Sequence, residues 1–151
     1  MSLKSYLRQA IHLHVVVAIV VGRQEIVLVQ RQREPSANRL VLPGGYFKQL
    51  DPKIAAAAIR EVWEETGLRL KARNLKFLTH LDDSKSNPRP GRHITIVFAA
   101  QLDQINRAKL LTHQDPDQGV KSIHLRNLDT LSPREIGFGH WQAIKLLRRE
   151  G

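Results

Sequence analysis

The stretch that decides the fold begins at Gly44-Gly45, passes Asp51-Pro52, and ends in Arg60-Glu61-Val62-Trp63-Glu64-Glu65-Thr66-Gly67-Leu68. Pro43 closes the short apolar run 40–42, because proline lacks a backbone donor, and the two glycines after it allow a tight turn. A helix follows with both ends marked. Asp51 suits its N-cap, Pro52 its first position, and Gly67 a left-handed stop. Between them Ala55, Ala58, Ile59, Val62 and Thr66 keep the i, i+3, i+4 rhythm of one buried stripe. The spacing predicts a helix over 52–66.

On that helix Glu61, Glu64 and Glu65 fall within roughly a 100° arc, opposite much of the apolar stripe. Like charges at this spacing repel, and the helix dipole disfavours anions near a C-terminus. The three carboxylates therefore want a cation, without which the helix is expected to be frustrated. A hard divalent ion fits carboxylate oxygens and is commonly shared with substrate phosphates. A solvated face with Arg60 paired to Glu64 is the alternative that the helix alone leaves open.

The turn, the capped helix and the closing Thr66-Gly67 decide between these. The segment resembles the Nudix hydrolase box, G-x(5)-E-x(7)-R-E-U-x-E-E-x-G-U with U aliphatic. Arg60, Glu61, Val62, Glu64, Glu65, Gly67 and Leu68 match its second half in order and spacing. The front half departs: Asp51 stands where the box has Glu, and one extra residue separates Gly45 from Arg60. The resemblance implies an α/β fold, a Nudix-type α/β/α sandwich around a mixed sheet, with the whole chain (1–151) as one domain. It implies a metal-dependent hydrolase cleaving the pyrophosphate of a nucleoside diphosphate linked to another moiety. Mg²⁺ is the expected cofactor, with Mn²⁺ as the alternative. Glu61, Glu64 and Glu65 would hold the ion together with the backbone of Gly45. Arg60 would orient Glu64 or its neighbour through an ion pair, completing the catalytic set.

Around this segment the chain reads as alternating strands and helices, hence a mixed layer fold. Residues 12–21 and 25–31 look like a hairpin, 75–81, 93–101 and 120–125 like further strands, and 140–150 like a final helix. Residues 82–92, rich in Pro and Gly, read as a loop.

Substrate contacts are weaker signals. Arg31 and Arg33, Arg89 and Arg92 are candidate phosphate clamps, since guanidinium pairs with phosphate in bidentate fashion. Phe47 beside the catalytic turn is a substrate-binding candidate, although for it and Tyr46 core packing is equally open. The segment 86–99 resembles bacterial ADP-ribose pyrophosphatases, which favours ADP-ribose or a nucleotide sugar. Ser84, however, stands where one ADP-ribose group carries proline. Residues 136–141 resemble a Phe-Asp-His segment in the same relatives, with Gly139 in place of the acid. Asp115 and Asp117 are read as ordinary turn formers.

Composition narrows the rest. The chain has 151 residues, 24 Lys and Arg against 14 Asp and Glu, a net charge of +10, and no cysteine. That length buries roughly 68–70% of the unfolded surface in one domain. The absence of cysteine excludes disulfide scaffolds, thiolate metal sites and a cysteine nucleophile. The longest apolar run, seven residues at 15–21, is far short of a membrane span. His12, His14 and the flank Gly22-Arg23-Gln24 argue against a cleaved leader, so a cytoplasmic location is expected. The charge predicts an anionic partner. A nucleotide-type small molecule is favoured over nucleic acid, because only 5% of residues are aromatic. A homodimer is compatible with the resemblance. The competing readings are an RNA 5′-end pyrophosphohydrolase and a non-catalytic nucleotide-sensing domain.

Overall fold

The computed structural model describes residues 1–82 and 85–150. In chain order the elements are α1 (Leu3–Gln9), β1 (Ile11–Val21), β2 (Glu25–Arg31), β3 (Leu40–Val41), β4 (Gly44–Tyr46), α2 (Ile54–Thr66), β5 (Lys76–Asp82), β6 (Arg92–Leu102), α3 (Arg107–Thr112), β7 (Val120–Asn127) and α4 (Trp141–Glu150). The strands form one seven-stranded mixed sheet. β1 runs parallel to β6 over its whole length, from Ile11↔Arg92 to Val21↔Leu102.

β1 and β2 pair only beside their turn, at Val20↔Ile26 and Val21↔Glu25. Beyond it they part, and residues 40–46 fill the space between them. β3 pairs with β2 through Val29↔Val41 and Gln30↔Leu40, and β4 pairs with β1 through Val15↔Gly45 and Val16↔Gly44. The crossing is pinned where the Val17 N–H donates to the Pro43 carbonyl at 2.9 Å.

The run 15–21 is apolar without alternation because both faces of β1 are covered. Val15, Val17, Ile19 and Val21 pack with Ala57, Ala58 and Val62 of α2 and Leu110 of α3. Val16 and Ala18 pack on the opposite side with Ala143 and Ile144 of α4. This is the expected α/β/α arrangement. Among the described residues no helix is long and apolar enough to cross a membrane.

The expected elements appear with small shifts at their ends. Three were not foreseen: α1, whose Ser2 hydroxyl caps it; α3, capped by Asn106; and β4. α2 begins at Ile54, so Pro52 lies outside it and Asp51 is not its cap. The N-cap is Lys53, which makes no side-chain cap bond. Gly67 ends α2 as anticipated, at φ 74° with its N–H donating to Trp63 O.

The second layer can be tested directly. Ile144 is fully buried beneath the sheet on the face away from α2. Ile144→Ala is expected to cost about 2–5 kcal/mol. Thermal melts should fall by roughly 2–4 °C per kcal/mol, while turnover of the folded fraction at 20 °C should match the parent.

Candidate active site

Where β1 and β2 part, the sheet opens into a cleft of about 270 Å³. Its walls come from both cores, with Val29 and Val41 from one and Val16 and Leu42 from the other. Gly44, Gly45, Glu61, Glu64 and Glu65 line one side. Arg31, Arg33 and Arg89 line it as well, so acidic and basic groups share one space.

Close approach of backbone sets the acidic wall. A Cβ on Gly44 would lie 2.0 Å from the Val15 carbonyl oxygen, so only glycine lets β4 sit against β1 here. The Gly44 N–H donates to Glu65 Oε1 at 2.8 Å and ties the turn to the helix. A Cβ on Gly45 would lie 2.6 Å from the Glu61 carboxylate. Peptide and carboxylate thus occupy one small volume that any side chain would fill.

Arg60 lies behind this wall and gathers three carboxylates. Its Nε and Nη2 donate to the two Asp51 oxygens at 3.0 and 2.9 Å. Its Nη1 donates to Glu61 Oε1 at 2.9 Å and to Glu64 Oε2 at 3.5 Å. The ion pair with Glu61 is therefore the shorter one, and Asp51 serves as the counter-charge that steers the guanidinium. Asp51 also accepts from the Lys48 N–H at 2.8 Å, which occupies the carboxylate that was expected to cap α2. The frustration expected of three crowded glutamates is relieved in part by this internal cation.

The carboxylates differ in environment. The hydrogen bonds from Arg60 hold Asp51 below the usual carboxylate range. Burial raises Glu61, against the opposing pull of Arg60. Burial raises Glu65 well above its ordinary value, and the Gly44 N–H only partly offsets it. A bound cation would favour the ionised form of both.

The donor set fits a hard divalent ion. It consists of carboxylate and peptide oxygens, with no thiolate. Among the described residues no three His, Asp or Glu side chains form a closed metal cage. An ion here would take the rest of its shell from water and substrate phosphate, as Mg²⁺ commonly does.

The basic side is held from below. Arg31 donates from Nε to Pro35 O at 2.7 Å, and its guanidinium lies 4.8 Å from the Phe138 ring centroid. Arg33 donates to Asp117 O at 2.6 Å. Arg89 donates from Nη1 to the Tyr46 hydroxyl at 2.7 Å and from Nε to Asn87 Oδ1 at 3.0 Å. Tyr46 in turn lies against His14, at 4.3 Å between ring centroids with the planes tilted by 37°, and His14 shares a 2.9 Å hydrogen bond with His93. Burial pushes the His14 pKa down to about 3, so this floor stays neutral.

Two expected contacts fall elsewhere. Arg92 is exposed and paired with Asp82 at 2.6 Å, away from the cleft. Phe47 packs against the α2-side core, with its backbone tied to Leu13, and Tyr46 takes the cleft position instead. Asp115 lines the cleft but acts as a turn former, its carboxylate accepting from the backbone of Asp117, Gly119 and Val120. Ser84 lies outside the described residues. His14, His93, Asn87 and Lys48 were not foreseen. The pattern that could have marked the histidines is strand alternation, since His12, His14, His93 and Thr95 occupy one face of paired strands.

Comparison with known proteins identifies the family. The NUDIX domain family model matches residues 11–147. The chain is 33% identical over 147 residues to an ADP-ribose pyrophosphatase of Methanocaldococcus jannaschii, covering 95% of this chain and 78% of that one. The NUDIX domain of Shewanella oneidensis NrtR complexed with ADP ribose superposes with TM-score 0.79 at 20% identity, over 99% of both chains. A Francisella tularensis bifunctional NMN adenylyltransferase/ADP ribose pyrophosphatase, complexed with AMP and a Mn ion, gives TM-score 0.75 at 27% identity. That match covers 94% of this chain and 42% of the larger one. The chain belongs to the NUDIX family and is a Nudix hydrolase.

The role of Asp51 has a pH signature. A carboxyl whose folded pKa is lowered stabilises the native state above its unfolded value, about 3.9, and that contribution is lost as pH falls through the folded value. The melting temperature of Asp51→Asn should therefore lie below the parent at pH 7 and converge with it as pH drops below the usual aspartate range. A gap that does not narrow as the pH falls below that range would assign Asp51 a packing role instead.

Proposed function

We propose that this Nudix hydrolase cleaves the pyrophosphate bond of a nucleoside diphosphate linked to another moiety, with ADP-ribose the favoured substrate. The observation that carries the reading is the pairing, in one cleft, of Glu61, Glu64 and Glu65 with Arg31 and Arg89. Carboxylates suit a divalent cation, guanidinium groups suit phosphate, and a diphosphate ester needs both. The M. jannaschii relative named as an ADP-ribose pyrophosphatase supports the choice of substrate. The reading takes residues 1–151 as one Nudix domain, cytoplasmic, with Mg²⁺ or Mn²⁺ as cofactor.

In this scheme Glu61, Glu64, Glu65 and the Gly45 backbone hold the cation. When bound, it neutralises diphosphate charge and lowers the pKa of an attacking water. Arg60 keeps the Glu61 carboxylate oriented, a positioning role. Arg31 and Arg89 hold the diphosphate, and Tyr46 fixes Arg89 through its hydroxyl. The apolar walls at Val16, Val29, Val41 and Leu42 keep bulk water from the rear of the cleft.

A panel of ADP-ribose, nucleotide sugars, nucleoside triphosphates and 5′-triphosphorylated RNA, each with Mg²⁺ and Mn²⁺, tests the reading. ADP-ribose should give the highest kcat/KM, and preference for RNA would replace this reading with the 5′-end enzyme. Glu64→Gln should fold as the parent yet lose about two orders of magnitude in kcat, equivalent to about 2.7 kcal/mol. Arg31→Ala and Arg89→Ala should each lower kcat/KM by about 10–100-fold, the range of a charged hydrogen bond. Arg92→Ala, outside the cleft, should leave it unchanged. Mg²⁺ at ~100 times its Kd should stabilise the fold by about 2.7 kcal/mol over EDTA. Sodium chloride at equal ionic strength should not reproduce that shift.

A further inference from the structure

His140 lies just before α4 and is buried, with 4% of its surface exposed, yet its ring lines the cleft. Its Nδ1 accepts from the Leu42 N–H at 3.1 Å. A peptide N–H can only donate, so Nδ1 carries no proton and the neutral ring carries its proton on Nε2. Nε2, the remaining polar atom of the ring, has no hydrogen-bond partner among the described residues, and the residue borders the cleft. The ring is further fixed by Phe138, 5.5 Å away between centroids, which also carries the Arg31 guanidinium on its face. Burial, with the charge of Arg31 added, pushes the His140 pKa down to about 3, so the tautomer persists at any working pH.

The cleft therefore holds two kinds of donor side by side. Arg31 and Arg89 are charged and attract the anionic phosphate oxygens, where charge-assisted bonds are strongest. The His140 Nε2–H is neutral, can only donate, and has a fixed direction. Its complement is an uncharged oxygen close to the phosphates. Resting on the pyrophosphohydrolase reading above, we propose that the His140 Nε2–H is a specificity-determining contact that binds a sugar oxygen of the group carried on the diphosphate. A substrate offering no acceptor at that point leaves the buried donor unpaired, which is a strong ground for rejection.

Two substitutions separate this role from the structural bond to Leu42. The amide oxygen of His140→Asn can replace Nδ1 toward Leu42 but puts nothing at the Nε2 position. The amide nitrogen of His140→Gln can reach the Nε2 position but leaves Leu42 without its acceptor. With ADP-ribose and Mg²⁺, His140→Asn should melt with the parent while its KM rises about ten-fold and kcat changes less. His140→Gln should melt lower while keeping a KM near that of the parent. An unchanged KM in His140→Asn overturns the proposal.

Nitrogen-15 NMR of the parent ring gives a readout independent of turnover. The spectrum should show the Nε2–H tautomer. Ribose 5-phosphate in EDTA should shift the Nε2–H resonance, whereas inorganic phosphate should leave it in place. An Nδ1–H tautomer, or equal shifts with both probes, overturns the proposal. Failure to hydrolyse ADP-ribose with these NMR shifts intact would overturn the substrate reading and leave the His140 contact standing.

Discussion

The site depends on how a short peptide fits between two strands that separate. Beyond their common turn β1 and β2 no longer reach each other, and residues 40–46 restore the missing hydrogen bonds by pairing first with one and then with the other. Unpaired backbone in that gap would be costly, so the crossing is obligatory once the strands part. The crossing brings Gly44 against the Val15 carbonyl, closer than any side chain permits, and aims its N–H at Glu65. The end of α2 is thereby held to the sheet. Opening a sheet to admit a ligand and anchoring the acidic helix are, in this chain, one structural event.

Charge is arranged around that event in two shells of opposite purpose. Arg60, behind the wall, is shared among Asp51, Glu61 and Glu64 and relieves part of the repulsion at an acidic helix end. Arg31 and Arg89, across the cleft, form no ion pair with a carboxylate among the described residues and rest on aromatic rings and carbonyl or hydroxyl oxygens. Cations neutralised by neutral dipoles keep most of their attraction for an incoming anion. The net charge of +10 is thus less informative than where three of its arginines are placed.

What was legible in the sequence followed from local rules. The helix with its Gly67 stop, the uninterrupted apolar run of β1 and the spacing of the glutamates all depend on residues near one another in the chain. What escaped depends on pairing between distant segments. β4 is Gly-Gly-Tyr, a sequence that reads as a turn, and it becomes a strand only because β1 offers it an edge. Asp51 has the chemistry of a cap, yet Arg60 and the Lys48 backbone claim it first. Phe47 and Tyr46 are adjacent, so which faces the core was a matter of register that composition could not decide. Arg92 follows the same logic, for the end of β6 places it beside Asp82 on the opposite side of a hairpin.

The long parallel register between β1 and β6 has a consequence for how the molecule breathes. Eleven consecutive residues of β1 have partners on β6, and most are sealed beneath helices on both faces. Amide protons there are expected to exchange with solvent only when the fold opens on a large scale, as paired and buried backbone does. His14 and Val16, on this paired stretch of β1, are part of the cleft lining, so one wall of the site belongs to the most tightly enclosed strand. A ligand seated there rests on a wall that gives way only with the fold itself.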